Sequence, residues 1–374
     1  MADKIVRFGI IGCGVISSFH AKAIKANVGK AELVAVCDEI EEKAKKLAAD
    51  FGVNKVFTDY RKMIEDKEVD AVCVCTPSGL HLEPAVFAAE HGKNIMCEKP
   101  IEITLERTDM MLNACKKNGT RLGCIFQRRT WDLNKKIKET IDSGVLGKML
   151  MGDAYLKYFR SRDYYKSAGW RGTWELDGGG ALMNQGIHGI DLIQWLMGGV
   201  DSVTAMCETK ARDIQVEDTA IAMIKYKNGA MGVIQGTTSI YPGENSVFAV
   251  HGDKGSIITE ERKVKRWAIE VPNDEKRAKE KENEKNMIES GGADAGTGMS
   301  SDPKAIGFEG HAKQIGDLCD AINAPRDPYI TGDEGRKALE VILAIYESAR
   351  TGSTVKLPLK KSPDMKKAGG FKKG

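Results

Sequence analysis

Phe8-Gly9-Ile10-Ile11-Gly12-Cys13-Gly14-Val15-Ile16-Ser17 is the stretch that decides the fold. An apolar strand runs into a glycine turn, and the turn runs into a helix. Gly12 permits the tight bend, and Gly14 lets backbone N–H groups approach a pyrophosphate at the helix N-terminus. Ser17 stands where the third glycine of G-x-G-x-x-G would be, so the motif draws its weight from context: a strand before it, a helix after it, β-α units beyond. Gly12, Gly14, Val15 and Ile16 are the expected dinucleotide contacts. Asp38 closes the second strand, 24 residues after Gly14. A carboxylate there accepts hydrogen bonds from both ribose hydroxyls and repels a 2′-phosphate, which selects NAD over NADP.

The alternation continues along the chain. Apolar strands are expected at Val6–Ile11, 33–37, 71–75, Asn94–Cys97 and 122–126, with a short one near 56–57. Helical patterns between them cover 15–26, Glu41–Phe51, 59–65, 82–91 and Leu105–Asn118. Residues 71–75 are apolar throughout, as a strand covered on both faces requires. Repeated β-α-β units predict a parallel, doubly wound sheet. Thr76-Pro77-Ser78-Gly79-Leu80-His81 follows one strand at its carboxyl end, where such sheets bind ligands. Thr76, Pro77 and His81 therefore join the expected cofactor wall, and Gln127, after the last strand, borders the same cleft.

Past residue 127 the pattern changes. A helix at 133–143 is followed by strand-length segments at 149–158, 203–209, Thr219–Tyr226, 230–235, 246–252 and 256–259. Turns such as Lys227-Asn228-Gly229 suit hairpins. The reading is α/β: residues 1–126 form a Rossmann domain with a doubly wound parallel sheet. Residues 127–358 form an α+β domain for substrate binding and oligomerisation, built on a large, mostly antiparallel open sheet. A buried helix is expected over 183–196, and closing helices over 309–321 and 335–349. Residues 274–282 are nearly all charged, with both signs mixed, and should form a solvated helix or loop, whereas 291–301 are rich in Gly, Ser and Asp and should be flexible. Residues 359–374 read as a flexible Lys/Gly-rich tail.

Composition narrows the function. The 374 residues suffice for two cores. With 42% hydrophobic and 29% charged residues the chain is of ordinary globular type. No apolar run is long enough to span a bilayer and no signal peptide is evident, so a cytoplasmic protein without membrane partners is expected. The nine cysteines are odd in number and lack a Cys-x-x-Cys pair, which points to reduced, buried thiols. The six histidines lack metal-ligand spacing, so no metal is expected. The last fifteen residues hold six lysines and one aspartate, and without them the net charge of +3 becomes −2. The folded part therefore has no general attraction for nucleic acid.

Two further stretches carry chemistry. In Met96-Cys97-Glu98-Lys99-Pro100 an apolar strand ends abruptly. Lys99 thus lies at a carboxyl strand end, and Pro100 stops the ladder there. Trp170-Arg171-Gly172-Thr173-Trp174 precedes Gly178-Gly179-Gly180. An aromatic-basic-aromatic cluster suits a sugar ring with an anionic substituent, which makes Trp170, Arg171 and Tyr158 expected substrate contacts.

Residues 9–17, Asp38, 76–81, Glu98-Lys99-Pro100 and the triple glycine leading to His188 and Asp191 occur in the order and spacing of the Gfo/Idh/MocA oxidoreductases. The chain resembles this glucose-fructose oxidoreductase and inositol dehydrogenase group over nearly all of residues 5–355. The resemblance implies NAD as cofactor, with Glu98 and Lys99 among its contacts. It also implies that Lys99 and His188 face the nicotinamide as the catalytic pair. Many relatives carry an aspartate four residues before this histidine, where this chain has Asn184. Asn184 shares a helix face with His188 and can hydrogen-bond but cannot exchange a proton. Proton transfer then falls to His188 and Lys99, with Asn184 orienting the substrate. The Asn-Gln-Gly-x-His version is similar to members that oxidise C3 of UDP-sugar acids and related pyranosides.

The implied activity is NAD-dependent removal of hydride from a ring hydroxyl carbon of a pyranose, glycoside or sugar nucleotide, with C3 the suggested position. Two alternatives stand beside it. One is redox-neutral glycoside cleavage through transient C3 oxidation with tightly bound NAD. The other is a non-catalytic NAD-binding regulator. By analogy with relatives the protein is expected to be a homodimer or homotetramer.

Overall fold

The computed structural model describes residues 4–270, 284–285, 287–288, 307–365 and 371. The segments 274–282 and 291–301, expected from the sequence to be solvated and flexible respectively, and half of the Lys/Gly-rich tail lie outside the described residues. The chain divides into two compact units. One comprises Met1–Thr130, Glu175–Gly178 and Gly307–Leu339, the other Trp131–Trp174, Gly179–Ile306 and Glu340–Gly374.

The first unit is built on six parallel strands, in the spatial order Lys55–Phe57, Ala31–Cys37, Val6–Ile11, Ala71–Val74, Asn94–Cys97, Leu122–Cys124. Strand Val6–Ile11 lies between the second and the fourth, so the order reverses beside it, where doubly wound sheets bind ligands. Its Val6, Phe8 and Ile10 are fully buried. The helices carry local signals at their ends. Asp59 accepts the Arg61 N–H ahead of Tyr60–Glu65. Thr104 accepts the Arg107 N–H ahead of Leu105–Asn118, which stops at left-handed Gly119.

The division expected at residue 127 differs from these units, because 307–339 returns to the first one. Helix Glu309–Asn323 puts Ile315, Leu318 and Cys319 into the same core as Val6, Phe8 and Ile10. Gln314 on that helix accepts the Phe126 N–H at 3.0 Å and donates to the Cys124 carbonyl at 2.8 Å, which fixes the end of the sixth strand. Amphipathic periodicity shows that a helix buries one face, not which core receives it.

The second unit is built on a mixed sheet of eight strands. Its order is Lys263–Ile269, Gly255–Glu260, Val247–Gly252, Met149–Lys157, Met231–Thr237, Thr219–Tyr226, Val200–Glu208, Val355–Lys356. Only the pair Met149–Lys157 and Met231–Thr237 is parallel. The expected hairpin between Thr219–Tyr226 and Met231–Thr237 turns through Gly229 at φ 88°. The edge strand Lys263–Ile269 is absent from the sequence reading. It exposes Lys263, Lys265 and Arg266 and buries Val264 and Trp267. Lysine on an edge discourages pairing with another chain, and the same charge conceals the strand in the sequence. The helix expected over 183–196 begins earlier, as a π turn at Ala181–Gly186 that continues into Ile187–Leu196. Irregular turns of this kind occur often at functional sites.

Truncation of Ile10 to Ala removes side-chain volume from the centre of the first unit. It is expected to cost about 2–5 kcal/mol in urea denaturation.

Candidate active site

The carboxyl ends of the parallel strands bring together Gly12, Gly14, Asp38, Thr76, Pro77, Lys99 and Gln127 in the first unit. Gly12 has φ +91°, and a Cβ there would stand 2.7 Å from the Cys75 carbonyl carbon. Gly14 faces open space, and Val15 beside it is 58% exposed. Helix Ser17–Ala26 has no side-chain cap and no acid in its first turn, so its positive end is open to an anion. Ser17, in place of the third glycine, donates its hydroxyl to the Gly14 carbonyl at 2.6 Å and braces the turn. Asp38 accepts the Cys13 N–H at 2.7 Å and the Ile40 N–H at 2.9 Å, which ties the glycine turn to the end of the second strand. An open glycine cradle, a free helix end and this acid are the donor and acceptor set that a dinucleotide requires.

Two expected cofactor contacts have a different role. His81 is buried, with one ring nitrogen 3.0 and 3.2 Å from the carbonyls of Pro100 and Ile101 and the other 2.9 Å from that of Thr76. It braces the 76–81 turn against the Glu-Lys-Pro loop through main-chain acceptors. Glu98 is turned into the core. One carboxylate oxygen lies 2.8 Å from His20 Nε2 and 3.3 Å from His311 Nε2, and the other accepts the Lys99 N–H at 3.2 Å. Burial alone would raise the Glu98 carboxyl, but the hydrogen bonds from His20 and His311 outweigh it and hold it well below the usual range. Burial lowers His20 below its ordinary value, against the pull of Glu98.

The ligand atoms of His20, Glu98 and His311 lie within 4.8 Å of one another, as a metal site would require. Metal-bound imidazoles have their other N–H held by a second acceptor. Here Nδ1 of both histidines is buried without a partner. The arrangement suits two Nε2–H groups donating to one carboxylate. Sequence reading missed both histidines: they lie 78 and 213 residues from Glu98, and no local pattern links them.

In the second unit the π turn and the helix after it carry Asn184 and His188, and His188 is 8% exposed. The Arg171 guanidinium lies over the rings of Tyr164 and Trp170, 4.2 and 4.7 Å from their centroids. It also donates to the Tyr164 hydroxyl at 2.5 Å. Gln185 donates to the same hydroxyl at 2.9 Å and to Asn184 Oδ1 at 3.4 Å. Trp170, Arg171 and Asn184 are thus brought together through Tyr164 and Gln185, to which the sequence reading gave no role. Tyr158, an expected substrate contact, is instead interior. It is 3% exposed and its hydroxyl is 2.8 Å from Ser246 Oγ. Its N–H donates to the Thr237 carbonyl, so the residue prolongs a strand within the sheet.

Fold and site together define an oxidoreductase with a nicotinamide-dinucleotide domain and a second domain on an open sheet. The chain belongs to the Gfo/Idh/MocA oxidoreductase family: the NAD-binding Rossmann domain of that family matches residues 6–126, and its C-terminal α/β domain matches 138–357. Myo-inositol 2-dehydrogenase of Thermotoga maritima is 32% identical over 271 residues, 68% of this chain and 75% of that protein. D-glucoside 3-dehydrogenase of Escherichia coli is 30% identical over 68% of this chain and 77% of that protein. Among solved structures, the WlbA dehydrogenase from Bordetella pertussis in complex with NADH and UDP-GlcNAcA has a TM-score of 0.83 and 32% identity. That match covers 96% of this chain and all of that one.

All nine cysteines are free thiols and eight are buried. Burial pushes Cys13 up to about 12 and Cys73, Cys75 and Cys97 well above the ordinary thiol value. Among the described residues no helix is long and apolar enough to cross a membrane.

Two outcomes are expected. Gly12→Ala, strained by its φ and its neighbours, should weaken NAD binding at least about tenfold, close to 1.4 kcal/mol, in a fluorescence titration. The folded state holds His20 neutral with a lowered pKa, so its contribution is present above its ordinary value of 6.5 and is lost as pH falls below it. The urea midpoint should therefore fall between pH 7.5 and 5.5; a flat midpoint would contradict the buried neutral histidine.

Proposed function

We propose that the protein oxidises a ring hydroxyl of a sugar or sugar nucleotide with NAD, using Lys99 and His188. The observation that supports the reading is the chemistry each unit carries by itself. The dinucleotide domain ends a clamped strand in Lys99, and the second domain presents Asn184 and His188 on one helix beside a cation stacked on aromatic rings. NAD accepts the hydride that leaves the ring carbon. His188 takes the hydroxyl proton, and the carbon–oxygen bond becomes a carbonyl. Lys99 hydrogen-bonds the same oxygen and stabilises its developing negative charge. Asn184 holds the sugar without exchanging a proton. Arg171 favours an anionic substituent, through charge-assisted hydrogen bonds to a carboxylate or phosphate. The likeness to a dehydrogenase solved with UDP-GlcNAcA supports a sugar nucleotide bearing an acid, and the name of the D-glucoside 3-dehydrogenase supports C3 as the carbon oxidised.

We also propose a homodimer or homotetramer assembled through the open sheet. Met206 and Ile221 are cross-strand neighbours, and Met223 and Met231 stand on the same face. They are 70%, 52%, 61% and 64% exposed. A contiguous apolar patch of this kind marks an interaction surface. The free buried thiols support a reducing, cytoplasmic setting.

Turnover should be followed as NADH absorbance against UDP-GlcNAcA, myo-inositol, a glucoside and levoglucosan. Lys99→Ala and His188→Ala should each lower kcat by about 10²–10⁴, and His188→Ala should leave the NAD dissociation constant unchanged. Near-normal turnover in either variant refutes the assignment. Met223→Lys should shift the protein toward monomer in light scattering; an unchanged mass removes the sheet face from the interface.

A further inference from the structure

Glu217 is buried in the second unit, far in sequence from residues 180–182, which it bonds and which lead into the Asn184–His188 segment. One of its carboxylate oxygens accepts the Gly180 N–H at 2.9 Å. The other accepts the Leu182 N–H at 2.8 Å and the Tyr346 hydroxyl at 2.9 Å. Its main-chain carbonyl accepts the Ala181 N–H at 3.0 Å. Three successive N–H groups at the start of the π turn therefore bond to a single residue 35 to 37 positions downstream. The first N–H groups of any helix need partners from outside it, and neither the π turn nor the following helix has a local side-chain cap. The glycines belong to the same device. A Cβ at Gly180 would run into the Glu217 carbonyl oxygen, and one at Gly179 would run into the Tyr346 hydroxyl and stand 2.7 Å from Met183 Cβ. They let the backbone reach the carboxylate. Asp218, next in sequence, accepts the main-chain N–H groups of Lys210, Ala211 and Arg212 on its side-chain carboxylate.

We propose that Glu217 is a positioning residue that caps the Asn184–His188 segment across the sequence and sets the orientation in which those two side chains are presented. The proposal rests on the reading that Asn184 and His188 meet the substrate. A buried carboxylate is costly to keep ionised, and an apolar residue in its place would avoid that cost. Burial pushes Glu217 up to about 7, against the hydrogen bonds from Leu182, Tyr346 and Gly180. The other titratable group set against it is the buried Cys207 thiol, on strand Val200–Glu208. Protonation takes one oxygen lone pair from the cap, so the presentation of His188 should respond near neutral pH.

The test is NMR of the full chain with ¹³C-labelled histidine, the His188 resonance being assigned from His188→Gln. In the wild type this resonance should show its own titration and a second inflection near pH 7. Glu217→Gln, which sets an amide donor against the Gly180 N–H, should abolish the second inflection. Tyr346→Phe removes one donor to the carboxylate and keeps the ring, so it should move the inflection to higher pH. A single inflection in the wild type, or one that persists in Glu217→Gln, overturns the proposal. If Glu217→Gln does not fold, an inflection unmoved in Tyr346→Phe overturns it alone. No substrate is required, so the result is separate from the outcome of the turnover panel.

Discussion

The Glu98 carboxylate, buried at the carboxyl end of strand Asn94–Cys97, is the interaction on which the first unit depends. A carboxylate out of water must be matched where it sits, and here the partners come from three places. His20 comes from helix Ser17–Ala26, His311 from helix Glu309–Asn323, and the Lys99 N–H from the next residue. The first fixes the helix that opens on the dinucleotide turn. The second draws a segment from the last fifth of the chain into the Rossmann core. The third holds the backbone of the lysine that ends the strand. One satisfied charge thus couples the helix after the dinucleotide turn, the returning helix and the backbone of Lys99.

The second unit uses the same economy with a different sign of perturbation. Glu217 also collects donors from several elements, but they are two main-chain N–H groups and a tyrosine rather than imidazoles. Burial outweighs them and the carboxyl rises, where that of Glu98 falls. The difference follows from the partners. Each unit therefore places a buried acid behind the residues expected to touch substrate, on elements that packing holds rigid.

Much of this was legible in the sequence. The strand, glycine turn and helix at 8–17 and the acid at Asp38 announce a parallel nucleotide-binding sheet, because both periodicity and turn chemistry are local. Lys99 is legible because proline after a strand is a local signal. What was not legible is non-local. His81 reads as a contact until its ring nitrogens are seen facing carbonyls from two loops. Tyr158 reads as a sugar platform until its hydroxyl is found against Ser246. His20, His311 and Glu217 have no motif at all, since their partners are brought to them by the fold. The edge strand Lys263–Ile269 was hidden by charges that suit an edge.

The central claim is that hydride passes from a ring carbon to NAD and that the reduced dinucleotide leaves. Its most direct measurement is isotope tracing: the full chain is incubated with NAD and ring-deuterated UDP-GlcNAcA, and the dinucleotide is read by mass spectrometry. The account predicts deuterium in released NADH in one-to-one amount with a keto sugar product. Bound NAD with no deuterium transferred from this substrate or from deuterated myo-inositol, glucoside or levoglucosan, or deuterium returned to a cleaved sugar without NADH release, would contradict it.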